Sequence, residues 1–261
     1  MKSREADYTL EFLLDFDGRI HHLEEGYWLK FEIKRVNATP RRPHGLSYSF
    51  TLHAPDGKRL IGFDNAHTGS AKISRFKKQP HAGDHWHRTE RDPGRPYKFK
   101  DAETLIDDFL QRGRISTSGT GDWDDGRQGG KYTETEMTSV KVQSLSSLRA
   151  QMKAAARGER RAPTDAAMPS FNSVAALVRL LTPENRQLLA LIRDRKPQSV
   201  VELVKMTGRA QPNLTRTLAK LEAAGFITMR AVGRRKEPSA AIKKIVVEID
   251  PYSDRDRLRV A

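Results

Sequence analysis

Residues 200–227 read Val200-Val-Glu-Leu-Val-Lys-Met-Thr-Gly-Arg-Ala-Gln-Pro-Asn-Leu-Thr-Arg-Thr-Leu-Ala-Lys-Leu-Glu-Ala-Ala-Gly-Phe-Ile227. The spacing predicts a short helix over 199–206, stopped by Gly208, and a longer one over 211–224, stopped by Gly225. Leu214, Leu218 and Leu221 fall on one inward stripe of the second helix. Upstream, Thr182-Pro183-Glu184 supplies an N-cap, an N1 proline and an acidic first turn, so a helix should run from there to about Arg195. Helices are also expected over 144–157 and 172–181. Downstream, 226–232 and 243–249 are rich in β-formers and enclose a basic tip, Gly233-Arg-Arg-Lys-Glu-Pro238. Helix, tight turn, helix and basic hairpin is the order of a winged helix-turn-helix.

That order carries a chemistry. The DNA major groove admits one helix, and the first residues of the second helix meet base edges. Here they are Gln211, Asn213, Thr215 and Arg216, which can pair with adenine or guanine; Lys220 faces outward toward phosphate. Arg234, Arg235 and Lys236 at the hairpin tip suit phosphates or the minor groove. The plainer alternative is an exposed polar helix in a basic protein, or a protein-binding module of the same shape.

Charge supports the first reading. The 261 residues carry a formal charge of +14, of which residues 1–115 hold +4, 116–136 hold −3 and 137–261 hold +13. The acidic, Gly-rich stretch 116–136 cannot bury a core and reads as a flexible linker. With no Cys, disulfides and thiolate metal sites are excluded, and a reducing cytoplasm is the expected setting. No apolar run suggests a signal peptide or a membrane span, so no membrane partner is expected.

Before the linker the pattern is mainly strand. Alternation predicts strands over 9–16, 19–23, 27–36, Leu46–His53 and 58–63, with Asp17-Gly18 and Pro55-Asp56-Gly57 as turns. Asp101 then caps a helix with Ala102, Leu105, Ile106, Phe109 and Leu110 inward. The expected class is α+β: a small N-terminal antiparallel-sheet domain with a terminal helix (1–115), the linker (116–136), an assembly segment (137–170) and a mainly α winged helix-turn-helix domain (171–261). Leu145, Leu148, Met152 and Ala155 form a stripe suited equally to a partner helix in a homodimer or to this chain's own core.

Six of the eight His lie between His44 and His87. His44, His67, His85 and His87 are acid/base candidates, with Asp64 beside them and Arg42 and Arg88 as phosphate clamp. Three readings stay open: a metal-free nucleic-acid site, a His-x-His metal site, or solvated loop histidines with no chemistry. Trp86 and Tyr97 could stack on bases or simply pack. No metal or cofactor is expected under the leading reading.

Two stretches resemble known families. Residues 200–227 look like MarR/ArsR-type regulators. Met137-Thr-Ser-Val-Lys-Val-Gln-Ser-Leu145, followed by Pro169-Ser-Phe-Asn-Ser-Val-Ala-Ala-Leu-Val-Arg-Leu-Leu-Thr-Pro183, resembles the TumA-type antitoxins more specifically. Arg42-Pro-His-Gly-Leu-Ser-Tyr-Ser49, Gly62-Phe-Asp-Asn-Ala-His67, Asp84-His-Trp-His87, Arg95-Pro-Tyr-Lys-Phe99 and the helix after Asp101 resemble the TumE-type toxins. Such partners are usually separate chains; here they are joined. The resemblance implies an autoregulator that binds operator DNA, with intramolecular or intermolecular toxin–antitoxin contact. The alternative it implies is an RNA-cleaving toxin, a ribonuclease tethered and inhibited by its own DNA-binding half.

Overall fold

The computed structural model describes residues 11–39, 42, 45–65, 83–116, 141–233, 235–248 and 257–260. They form an N-terminal sheet, C-terminal helices and a small hairpin, gathered in two compact units that do not follow chain order. One unit takes the described residues of 11–19, 27–116 and 145–168; the other takes 20–26, 141–144 and those from 169 on. The proposed linker 116–136 lies outside the described residues except for Ser116.

Strand β1 (Ile20–His22) belongs to the second unit. In the first unit, β2 (Trp28–Arg35), β3 (Leu46–His53), β4 (Arg59–Asp64), β5 (His85–His87) and β6 (Arg95–Pro96) lie side by side in that order, each antiparallel to the next. Side chains alternate across a strand, so Leu29, Phe31 and Ile33 share one face with Leu46, Tyr48, Phe50 and Leu52 of β3, and all are buried. Helix α1 (Ala102–Ser116) covers that face. Asp101 Oδ1 accepts from the Thr104 N–H at 2.7 Å, the expected cap. Ala102, Leu105, Ile106 and Phe109 are fully buried, and the Phe109 ring lies 5.7–5.9 Å from Phe31, Phe50 and Phe63, edge to face. Asp64, His85 and His87 occupy the opposite side of the sheet.

The strand expected over 9–16 is instead a 3-10 helix, Phe12–Phe16, within the described part. Alternation picked out Phe12 and Leu14, but Phe12, Leu13 and Phe16 are the buried ones. That spacing belongs to a helical turn, not to a pleat.

Helix α2 (Leu145–Ala156) also belongs to the first unit and packs against α1. Leu145, Leu148, Met152 and Ala155 are buried there, so the own-core alternative holds for this stripe. Arg149 Nε donates to Asp107 Oδ1 at 2.9 Å, and Lys153 Nζ to Asp107 Oδ2 at 2.6 Å. Lys153 also lies 3.1 Å from Glu103, and Arg157 Nε donates to Glu103 at 2.9 Å. Arg157 holds the Glu103 carboxyl down to about 2, with Lys153 adding to it.

In the second unit, β7 (Lys141–Val142) and β1 both pair parallel with β8 (Ser170–Phe171). Residues 19–23 were expected to return a hairpin from 9–16; β1 instead pairs with a segment about 150 residues away in sequence. Helix α3 (Val174–Leu180) starts two residues later than expected because Ser173 caps it, its Oγ accepting from the Ala176 N–H at 3.1 Å. Helix α4 (Pro183–Arg195) begins at the expected Thr182 cap. Helix α5 (Val200–Thr207) is capped by Ser199 and ends at Gly208, whose φ of +66° suits glycine. Helix α6 (Gln211–Ala223) follows, then strands β9 (Ile227–Val232) and β10 (Arg235–Ala240) as a hairpin. Phe171, Leu177, Leu188, Ile192, Leu203, Leu214, Leu218, Leu221 and Phe226 form this unit's core.

The second hairpin strand is therefore Arg235–Ala240, not 243–249. Residues of 243–249 supply β11 (Ile245–Glu248), which pairs with β12 (Arg257–Val260). Glu237, Pro238 and Ser239 hide the strand from a propensity reading, and Pro238 is tolerated because a two-stranded ribbon is all edge. No described helix is long and apolar enough to cross a membrane.

Candidate functional site

Strand pairing assembles the cluster. Asp64 stands directly opposite His85, and Gly62 directly opposite His87. Residues two apart share a face, so both imidazoles and the carboxylate project to the same side. Gly62 puts no side chain of its own beneath His87. Asp64 Oδ1 lies 3.0 Å from His85 Nε2, and Oδ2 lies 3.3 Å from His87 Nε2. One ligand-capable atom from each of the three residues falls within 4.8 Å of the others. Asp64 is 1% exposed and His87 7%.

Backbone carbonyls set the tautomers. His85 Nδ1 lies 3.0 Å from the Gly83 carbonyl, and His87 Nδ1 lies 2.8 Å from the Asp92 carbonyl. A carbonyl only accepts, so each Nδ1 carries a proton and each ring turns its Nε2 toward Asp64. The Asp64 hydrogen bond raises the His85 pKa above the ordinary imidazole value, against the opposing pull of burial.

The loop after β5 holds these rings in place. Asp92 Oδ2 accepts from the Arg88 N–H at 2.9 Å, and Oδ1 from the Gly94 N–H at 3.1 Å. Gly94 has φ of +91°, and a Cβ there would sit 2.8 Å from His87 Cε1 and 3.0 Å from His85 Cδ2. Its backbone therefore lies against both rings, where a side chain would not fit. At the end of β4, Asn65 Oδ1 accepts from the Tyr48 N–H and Asn65 Nδ2 donates to the Leu46 carbonyl, fixing the strand beyond Asp64. Tyr48 Oη donates to Asp84 Oδ1 at 2.7 Å. Burial, with Asp84 adding to it, pushes this phenol far above its usual range.

Of the acid/base candidates, Asp64, His85 and His87 come together. Arg42 is tied to the Asn65 carbonyl through Nε at 3.0 Å, one residue beyond Asp64. His44 and His67 lie outside the described residues. Arg88 is exposed, its backbone N–H engaged with Asp92. Trp86 and Tyr97 are taken up by packing rather than held open for bases. Arg112 covers the Trp86 ring at 4.0 Å, while Tyr97 meets Phe63 at 5.1 Å and donates to Asp108. Asn65, Asp92 and Gly94 were not singled out from sequence, although Asp92-Pro-Gly94 is a turn signal that marked the place.

In the second unit, Gln211, Asn213, Thr215 and Arg216 are exposed on α6, with Leu214, Leu218 and Leu221 buried behind them. Arg235 and Lys236 are exposed at the start of β10, and Arg234 lies outside the described residues. Lys220 is half-buried rather than outward. Its charge helps lower the pKa of His22, which burial brings to about 4 in the face of a raising backbone hydrogen bond at Ala223.

The cluster lies inside a stretch that matches a known family model. Residues 6–116 match the family model described as Toxin TumE. The TumE match spans Asp64, His85, His87 and helix α1, and it puts this part of the chain in a toxin–antitoxin context. Residues 180–247 match the family model HVO_A0114, which covers helices α4 to α6 and the hairpin. No curated protein and no solved structure matches the chain.

Proposed function

We propose that this chain is a toxin–antitoxin protein in one polypeptide, whose C-terminal part is a winged helix-turn-helix that binds operator DNA and regulates transcription. The observation that carries the DNA reading is helix α6. Its first turns expose Gln211, Asn213, Thr215 and Arg216, which can pair with bases, while its leucines are buried. Its first turn has no side-chain cap, which leaves backbone N–H groups for a phosphate. Arg235 and Lys236, exposed on the hairpin of the same unit, add cations. In the test, the full chain is titrated against DNA from its own promoter at rising salt. Log K should fall steeply with log salt, and Arg216→Ala should weaken binding by roughly 1–3 kcal/mol. Affinity indifferent to both overturns the reading.

A second reading, that the TumE-matching part cleaves RNA and is restrained in cis, is favoured by two features. Asp64, His85 and His87 offer acid/base groups beside one another, and α2 grips α1 through Asp107 and Glu103. Charge reversal at Arg149 and Lys153 should release growth arrest that His85→Ala cures. Intact RNA after incubation with both the parent chain and the reversed variant overturns it.

A further inference from the structure

We propose that Asp64, His85 and His87 form a site for one first-row divalent transition-metal ion of the zinc type, with coordination positions left open to an anionic oxygen. The inference goes beyond the regulatory reading and stands whether or not the chain cuts RNA.

The geometry of the donors is the first argument. Zinc bonds of about 2.0–2.1 Å place neighbouring ligand atoms of a tetrahedral site about 3.3 Å apart. Asp64 Oδ1 lies 3.0 Å from His85 Nε2 and Oδ2 lies 3.3 Å from His87 Nε2, and one donor atom from each of the three residues falls within 4.8 Å of the others, close enough for one ion to reach all three. Two imidazole nitrogens with one carboxylate suit zinc, iron or cobalt, and disfavour magnesium and calcium, which prefer all-oxygen sets.

The second argument is an unsatisfied donor set. Both Nδ1 atoms are committed to carbonyls, so both rings present Nε2 to the same carboxylate. His87 Nε2 is buried and makes no hydrogen bond. A cation between the three groups gives that nitrogen a partner. Metal-bound histidines characteristically donate their other ring N–H to a carbonyl or carboxylate, which both of these rings do.

The third argument is the support around the rings. Asp92 anchors the loop that presents its own carbonyl to His87, and the Gly94 backbone rests on both imidazole edges. Ligand rotamers held this way lose little freedom on binding.

The test uses untagged full-length chain, stripped with chelator and titrated with cobalt(II) and then zinc(II). One cobalt per chain should bind with a visible absorption band, and zinc should displace it. His85→Gln and Asp64→Asn should each weaken binding by about a hundredfold or more, and Gly94→Ala by roughly ten- to a hundredfold without removing a ligand. Circular dichroism and thermal melts check that each variant is folded; should Asp64→Asn fail, His85→Gln at the less buried ring carries the test. No uptake by the folded parent chain, or uptake unchanged in His85→Gln and Gly94→Ala, overturns the proposal. RNA cleavage is scored separately. Metal binding with RNA left intact breaks only the toxin reading, whereas cleavage by a chain that takes up no metal breaks only this one.

Discussion

The sheet face bearing Asp64, His85 and His87 and the outward face of helix α6 are both polar, yet the chain builds them by opposite means. The first buries its charge: a carboxylate 1% exposed is costly to desolvate unless its neighbours compensate it. The second displays its charge, so Arg216 and Arg235 keep their hydration, and under the proposed DNA reading a polyanion would replace it. A buried constellation is rigid and selective and depends on three strands and a loop. An exposed helix face needs only one helix and a hydrophobic backing, and its strength follows salt. Chemistry suits the one surface and recognition the other.

The comparison can be strained where the sheet depends on its backing. Phe109 is the fully buried ring on which Phe31, Phe50 and Phe63 converge. Phe109→Ala should lower unfolding free energy by about 3–5 kcal/mol in a denaturant titration. A loss below 1 kcal/mol would mean that α1 does not hold the sheet.

Acid should act on the second unit through His22. Its folded pKa, about 4, is lowered from the ordinary imidazole value of 6.5 chiefly by burial. A lowered pKa means the unfolded chain binds the proton first. This contribution is therefore complete above about pH 6.5 and is lost as pH falls toward 4. At about 1.4 kcal/mol per unit, it amounts to roughly 3 kcal/mol. Across that range the parent chain should lose about that much stability relative to His22→Leu, which lacks the group; parallel stability curves would contradict the assignment.

Recognition should respond more modestly and more locally. Beyond the loss expected for Arg216→Ala, replacing Lys236 by Ala should reduce the salt slope by about 1, with little change in sequence preference. Fluorescence anisotropy at several salt concentrations reads both quantities. Ser199→Ala removes the cap that accepts from the Glu202 N–H and should cost about 1 kcal/mol of stability. The smallest effect belongs to the clasp between α1 and α2. A double-mutant cycle on Asp107 and Lys153 should give a coupling of about 0.2–1 kcal/mol, because both groups remain partly exposed. Burial raises the Asp107 pKa, but Lys153 and Arg149 outweigh it and the net shift is downward. The coupling should therefore be present at neutral pH and fade as pH falls below about 4.

Much of the helical part was legible along the chain. Thr182, Ser199, Gly208 and the Leu214–Leu218–Leu221 stripe are local signals, satisfied within a few residues, and the helices lie where those signals put them. Strand Leu46–His53 was equally plain from its alternation. The 3-10 turn Phe12–Phe16 and the strand Arg235–Ala240 were not. In each, a tertiary neighbour, not intrinsic preference, selects which residues are buried or paired.

The candidate site divides the same way. Sequence put Asp64 after a strand but His85 and His87 in a Gly/Pro-flanked loop, where the structure has a strand, His85–His87. It could not choose among the histidines, because Asp64 meets His85 only through the register of β4 against β5. It could not set which ring nitrogen faces Asp64 either, since that depends on carbonyls supplied by Gly83 and Asp92. Nor could it foresee that residues 20–22 would pair with 170–171, or that 145–156 would join the first unit. Helix signals are short-range and survive in one dimension. Register, tautomer and segment exchange are set by contacts between residues far apart in the chain, and only the folded structure decides them.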